Sequence, residues 1–251
     1  MSRFADRLWW APRDDGWWVA FPFSVGSVLF MLGAVMPVMR FVPGPVITVT
    51  FFIGSSLYLI GAIAQIVGEV RRSRRARRLA EGEEAPTREG EQAHTAEGEK
   101  ARRAGVALTG GVVQGVGAIL FQTNLTAAFA RDLSIVQQEV LLWVPDLLGS
   151  VLFLVSSSIF FRLARPIQGR EEEGQDRSLA LLNMAGSAFF ILSALGAYVS
   201  PLTGAQAYPF VANLGTLIGA AFFLVSSIPG LPHGTDYRRT RNRHPVDDDA
   251  T

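Results

Sequence analysis

Few residues in this chain combine a reactive type with a place where chemistry would follow. Asp146 is the main ionisable side chain inside an apolar tract, and Asn124 and Asn213 bring amides to two other tracts. Ionisable groups are costly at membrane depth and are functional candidates there. A carboxylate flanked by two amides can hold a cation or a proton, with the amides as donors and acceptors. Pro145 offers a second reading of Asp146. A proline can open a helix, which would leave the carboxylate in the first turn, facing the positive end of the helix dipole. Asn124 and Asn213 could equally do no more than bond across helices, a contact worth about 1 kcal/mol.

Most other chemistry is excluded. The chain has no cysteine, which rules out disulfides, thiolate metal sites and thiol catalysis. His94, His233 and His244 all lie in charged loop or tail sequence. No HExxH, GxSxG or P-loop pattern occurs, and the Gly115-Val-Gly117 stretch sits within an apolar run rather than between a strand and a helix. A buried serine without a histidine base has no route to activation, and one carboxylate cannot supply both acid and base. The expectation is a protein that is not an enzyme and needs no metal or cofactor.

The elements that must position these residues are long and apolar. Hydrophobic residues make up 49% of the 251-residue chain and charged residues only 18%, with the charges gathered at 1–16, 71–103, 162–178 and 231–251. A helix needs about 20 mainly apolar residues to cross a bilayer. Six tracts qualify, approximately 17–39, 45–70, 104–130, 141–163, 179–200 and 208–228. They are too long for barrel strands and lack period-two alternation. The fold class expected is an all-α integral membrane protein with six transmembrane helices. On these boundaries Asn124 lies about six residues before the end of its helix, and Asp146 and Asn213 about five after the start of theirs, roughly 8 Å in depth. All three then share one level near the outer face.

Basic residues are retained on the cytoplasmic side. Counted on alternate sides of the six tracts, 21 of the 23 fall on the side of both termini and of the long loop, leaving only Arg40 and Arg131 opposite. This predicts cytoplasmic N- and C-termini. Trp9, Trp10, Trp17 and Trp18 then belong near the inner interface, with Trp143 and Tyr208 near the outer one. The arginine-dominated basic set, in which Lys100 is the sole lysine, together with abundant Ala, Gly and Val, suggests a bacterial genome and hence the inner membrane.

Each tract carries one copy of a nine-residue pattern: VGSVLFMLG at 25–33, IGSSLYLIG at 53–61, VGAILFQTN at 116–124, LGSVLFLVS at 148–156, AGSAFFILS at 185–193 and IGAAFFLVS at 218–226. Each copy reads Gly, then Ser or Ala, then an aromatic four residues after the Gly. A small or short polar residue follows the Gly by seven, two helical turns away and so on the same face. Gly26, Gly54, Gly117, Gly149, Gly186 and Gly219 are therefore candidates for helix packing, with Phe30, Tyr58, Phe121, Phe153, Phe190 and Phe223 as the rings that interlock there. Gly111 with Gly115 and Gly215 with Gly219 add GxxxG spacings. Consecutive copies run in opposite directions, so three repeated helical hairpins are expected.

The hairpin with Trp17-Trp18, GSVLF at 26–30 and FFIGSSLYLIGA at 51–62 resembles the YrhK-like domain family of small bacterial membrane proteins. WVPDLLGSVLFLVSS at 143–157 and NLGTLIGAAFFLVSS at 213–227 are similar to later segments of its multi-hairpin members. The resemblance covers the six helices, not the loop or tail. It implies the helical membrane fold and carries no activity, cofactor or catalytic residue.

Outside the spans, 1–16 reads as a cytoplasmic segment, 17–70 as the first hairpin, 71–103 as a charged cytoplasmic loop, 104–230 as four further helices and 231–251 as a cytoplasmic tail. The loop opens with Arg71, Arg72, Arg74, Arg75, Arg77 and Arg78, which are placed to meet anionic lipid headgroups or to serve only as a topology signal. Its acidic middle has too few apolar residues to fold and is expected to be disordered. Gln65, Asn183, Ser156 to Ser158, Ser226 and Ser227 form an inner polar group, read mainly as packing. The lipid bilayer, a second copy of the chain or another membrane protein are the partners expected; nucleic acid is not. The leading functional expectation is a non-enzymatic membrane scaffold or accessory subunit. A small-solute, ion or proton transporter or channel using Asn124, Asp146 and Asn213 is the alternative, and a lipid-binding protein a third.

Overall fold

The computed structural model describes residues 11, 12, 14, 16–39, 41–82, 88–164 and 172–231. The chain forms α1 (Trp17–Val35), α2 (Gly44–Gly82), α3 (Arg88–Ala127), a single turn α4 (Ile135–Gln138), α5 (Val144–Leu163), α6 (Glu172–Gly196) and α7 (Pro209–Ser227). A π-helical stretch, Glu139–Trp143, joins α4 to α5. Among the described residues there is no strand, only one isolated bridge between Val199 and Gln206. Six helical runs are long and apolar enough to cross a membrane, as the sequence predicts. In lipid a helix satisfies its own backbone groups, which is why these apolar runs adopt it.

The helices close into a ring. Each packs on two neighbours in the order α1, α2, α3, α5, α6, α7, and α7 returns to α1. One end of the ring, here the distal end, carries the short connections 36–43, 128–134 and 197–208. The opposite, basal end carries the starts of α1, α3 and α6 and the ends of α2, α5 and α7. Val28, Leu32, Ile53, Ile119, Leu148 and Leu195 are exposed on the outer wall, a surface suited to hydrocarbon rather than water.

Small residues and rings fill the inside. A Cβ on Gly26 would lie 2.6 Å from the Tyr58 ring and 2.9 Å from the Gly54 carbonyl, and one on Gly54 would lie 2.9 Å from the Phe30 ring. The same exchange joins Gly117 with Phe153 and Gly149 with Phe121, and again Gly186 with Phe223 and Gly219 with Phe190. In every hairpin, each glycine is the notch that receives the aromatic of the facing helix. The residue after each of these glycines (Ser27, Ser55, Ala118, Ser150, Ser187 or Ala220) is fully buried at 0% exposure, which leaves no room there for a larger side chain.

The six rings form two layers. Tyr58, Phe153 and Phe223 make a triangle with centroids 5.7 to 6.3 Å apart. Phe30 and Phe121 each lie 6.1 Å from Phe190. The pairs Phe30–Tyr58, Phe121–Phe153 and Phe190–Phe223, at 5.3 to 5.4 Å, tie one layer to the other. Along α1 Phe30 lies four residues, about 6 Å, beyond the notch that holds Tyr58. The Phe30, Phe121 and Phe190 layer is therefore the distal one.

One expectation needs correction and two gain detail. The charged stretch 71–103, expected to be disordered, is helical on both sides of the gap: α2 runs on to Gly82 and α3 starts at Arg88. Extending an existing helix avoids the cost of nucleation, and Glu69–Arg72, Glu97–Lys100, Glu99–Arg102 and Glu99–Arg103 pair along the helix surface. Residues 83–87, which include Pro86, lie outside the described residues, as do the tail beyond 231 and Trp9, Trp10 and Arg40. Trp17, expected at the membrane interface, is buried at 3% exposure and stacks on Phe21, whereas Trp18 is 45% exposed. Trp143 is not a lipid-facing belt residue either: its indole N–H donates to the Ala194 carbonyl at 2.8 Å and its ring meets Tyr198 edge-on.

Candidate functional site

The inner face of the ring opens into a cavity of about 340 Å³ on the distal side of the six rings. Phe30, Phe121 and Phe190 line it, whereas Tyr58, Phe153 and Phe223 do not, so the distal ring layer is its floor. Asn124, Asp146 and Asn213 all line it as well. Three helices thus bring these polar groups to one space: α3 from its distal end, α5 and α7 from their distal starts.

Local chemistry explains how Asp146 is presented. Ser134 caps α4 in a capping box with Gln137, each accepting from the other's backbone N–H. Pro145 has no N–H to give to the preceding turn, and the chain meets this with the π-helical stretch in which the Val144 N–H reaches back to the Glu139 carbonyl. Helix α5 therefore continues from α4 and does not begin freely at Pro145. This corrects the helix-cap reading of Asp146, because the backbone ahead of it is already helical. The Asp146 carboxylate makes no ion pair and no hydrogen bond among the described residues. The side chains of Asn124 and Asn213 make none either, so neither serves as a bond across helices.

Three other polar lining groups are bonded within the chain, whereas the Gln206 side chain on the 197–208 connection is not bonded among the described residues. The Ser193 hydroxyl lies 2.7 Å from that of Thr216 and donates to the Ala212 carbonyl, and Thr216 donates to the same carbonyl at 3.0 Å. Gln138 donates to the Leu133 carbonyl. No family model, no curated protein and no solved structure matches the chain. The resemblance to the YrhK-like family gains no support from them.

Part of the mouth is formed by the 197–208 connection, from which Val199, Gly204 and Gln206 reach the cavity. That loop folds on itself through the Ser200 N–H to the Ala205 carbonyl and the Ala207 N–H to the Tyr198 carbonyl. Gly204, at φ 65°, takes the left-handed turn that a side chain would disfavour. Phe51, Trp143 and Ser193 are lining residues that the sequence reading missed as site residues. A signal existed for Ser193, which holds the same place in its repeat copy as Asn124. Phe51 fills the third such place, its ring standing 2.8 Å from where a Cβ on Gly33 would be.

In the basal half several of the described polar side chains pair with one another. The Tyr58 hydroxyl bonds Ser27 at 2.7 Å, Ser24 bonds Ser227 at 2.7 Å, and Ser226 donates to Asn183 at 2.6 Å. Ser156 donates to the Gly110 carbonyl, Ser157 to Phe153 and Ser158 to Leu154. Of the inner polar group, Asn183 and the serines bond within the chain, whereas Gln65 makes no hydrogen bond among the described residues. A second, open groove lies on the lipid-facing side between α2 and α3 at Leu59, Ile119, Gln122, Thr123 and Thr126, where Gln122 accepts from Ser55 at 2.7 Å. Arg72, Arg74, Arg75, Arg77 and Arg78 are exposed on the basal extension of α2, and so is Arg71.

Proposed function

We propose that this chain is a small-solute-binding polytopic membrane protein whose cavity takes its solute from outside the cell. One observation carries the reading: an unpaired carboxylate and two unpaired amides converge on a single cavity inside a ring of membrane-spanning helices. These three side chains make no bond among the described residues and none of their polar atoms is sealed from the cavity, so a ligand that enters it can pair with them. The strong bias of arginine to the basal side supports an orientation with the distal mouth outside, and a place in a bacterial inner membrane. The two ring layers beneath the cavity favour holding a solute over passing it. The recurring glycine and aromatic exchange supports an origin of the three hairpins by repeated duplication, and the exposed arginines of α2 would contact anionic headgroups.

The absence of native cysteine permits a clean test. Asn213→Cys in intact cells is expected to react with a membrane-impermeant thiol reagent, whereas Gly98→Cys is expected to react only after permeabilisation. If Asn213→Cys stays unlabelled even in permeabilised cells, the cavity is not open to solute and the reading falls. The largely apolar groove at Gln122 would then make the scaffold reading the better one, with a second helix as its occupant.

A further inference from the structure

Resting on that reading, we infer that the solute is a small organic cation, an alkylammonium or quaternary ammonium ion, held by the Asp146 carboxylate against the aromatic walls of the distal cavity. Charge is the first argument. Asp146 is the only charged residue lining the cavity, and it has no cationic partner among the described residues. A carboxylate left in such a place is met by a proton or by a counter-charge, and a counter-charge must then come with the ligand.

The walls narrow the choice. Phe30, Phe51, Phe121, Trp143 and Phe190 surround the same space. Aromatic rings attract organic cations through their quadrupole, most strongly where water is excluded. A hard inorganic cation needs a shell of about six oxygens. Here five rings share the lining with the side-chain oxygens of Asn124, Gln138, Asp146, Gln206 and Asn213, and the Ser193 and Thr216 hydroxyls already donate within the chain. Among the described residues no group of three acidic, histidine or cysteine side chains exists that could hold a metal ion. The two unpaired amides of Asn124 and Asn213 are left for a hydroxyl or carbonyl on the solute.

A volume of about 340 Å³ lies at the lower end of the range for small-molecule sites and is enough for one small ammonium ion.

The test compares choline with its neutral isostere 3,3-dimethylbutan-1-ol on the full chain in nanodiscs, by calorimetry and thermal denaturation. Choline is expected to bind at least about tenfold more tightly than the isostere, and Asp146→Asn to remove that preference while Asp146→Glu keeps part of it. Equal binding of the two probes would overturn the cationic assignment and leave the solute reading standing. Stabilisation by sodium that depends on Asp146, with no effect of choline, would overturn it in favour of an inorganic ion. Binding of neither probe, with Asn213→Cys still labelled from outside, would also overturn it. Only loss of that labelling as well would remove the solute reading itself.

Discussion

At the scale of the residue, the glycine notches decide how closely the helices approach. Gly26 has a ring and a backbone carbonyl at distances where a Cβ has no place, and the carbonyl cannot swing aside as a side chain can. Gly26→Ala is therefore expected to destabilise the chain by about 1–3 kcal/mol, the usual range for overpacking. Gly98 also lies within a helix, but a Cβ there would meet nothing. Gly98→Ala should be neutral or stabilising by up to about 1 kcal/mol, through helix propensity alone. Thermal denaturation in detergent separates the two, and equal effects would show that the notch is not a packing constraint. Legibility differs among the residues in the same way. The spacing of glycine and aromatic shows that they share a face, because helical periodicity is fixed. That Asn124, Asp146 and Asn213 line one cavity rests on depth counted from the helix ends, which the sequence also carries. The roles of Trp143 and Phe51 were not legible, since nothing in a single helix says which ring across the interior will meet it.

Helices α2 and α3 are where composition misleads. Residues 71–103 have the charge and the low apolar content of a disordered loop, yet α2 and α3 extend into this stretch from both sides. The spans were legible because twenty apolar residues have few ways to sit in lipid. The extensions were not, because they depend on helix already formed next to them and on surface pairs such as Glu99 with Arg102 and Arg103. Ala76 tests this difference. Proline at that site removes one backbone donor and clashes with the carbonyl four residues before, at a cost of about 3 kcal/mol to a helix interior. Ala76→Pro is expected to lower the helical circular dichroism signal while leaving the thermal midpoint of the membrane-embedded ring nearly unchanged. A large fall in that midpoint would mean that the basal extension is part of the ring's stability.

For the molecule as a whole, the decisive contact is the one between its first and last helices. Three hairpins in a row would be satisfied by an open arc, and the sequence pattern alone does not choose between an arc and a ring. Closure follows from packing: α7 lies against α1, and Ser24 and Ser227 meet through their hydroxyls at 2.7 Å. An arc would leave open to lipid the face of α1 at Ala20 and Ser24 and the face of α7 at Ser227, where they gain no packing. It would also open the floor of the cavity, because Phe30 on α1 and Phe190 on α6 touch only when the ring is shut. The 2.7 Å contact between the two hydroxyls brings the ends of these side chains together, so cysteines at both places can reach each other. With no other thiol in the chain, Ser24→Cys with Ser227→Cys should cross-link under mild oxidation within one molecule. After cleavage at a protease site inserted between 83 and 87, the two fragments should stay together on a denaturing gel until reduced. Separation without reductant would sink the closed ring, and with it the aromatic floor on which the solute site depends.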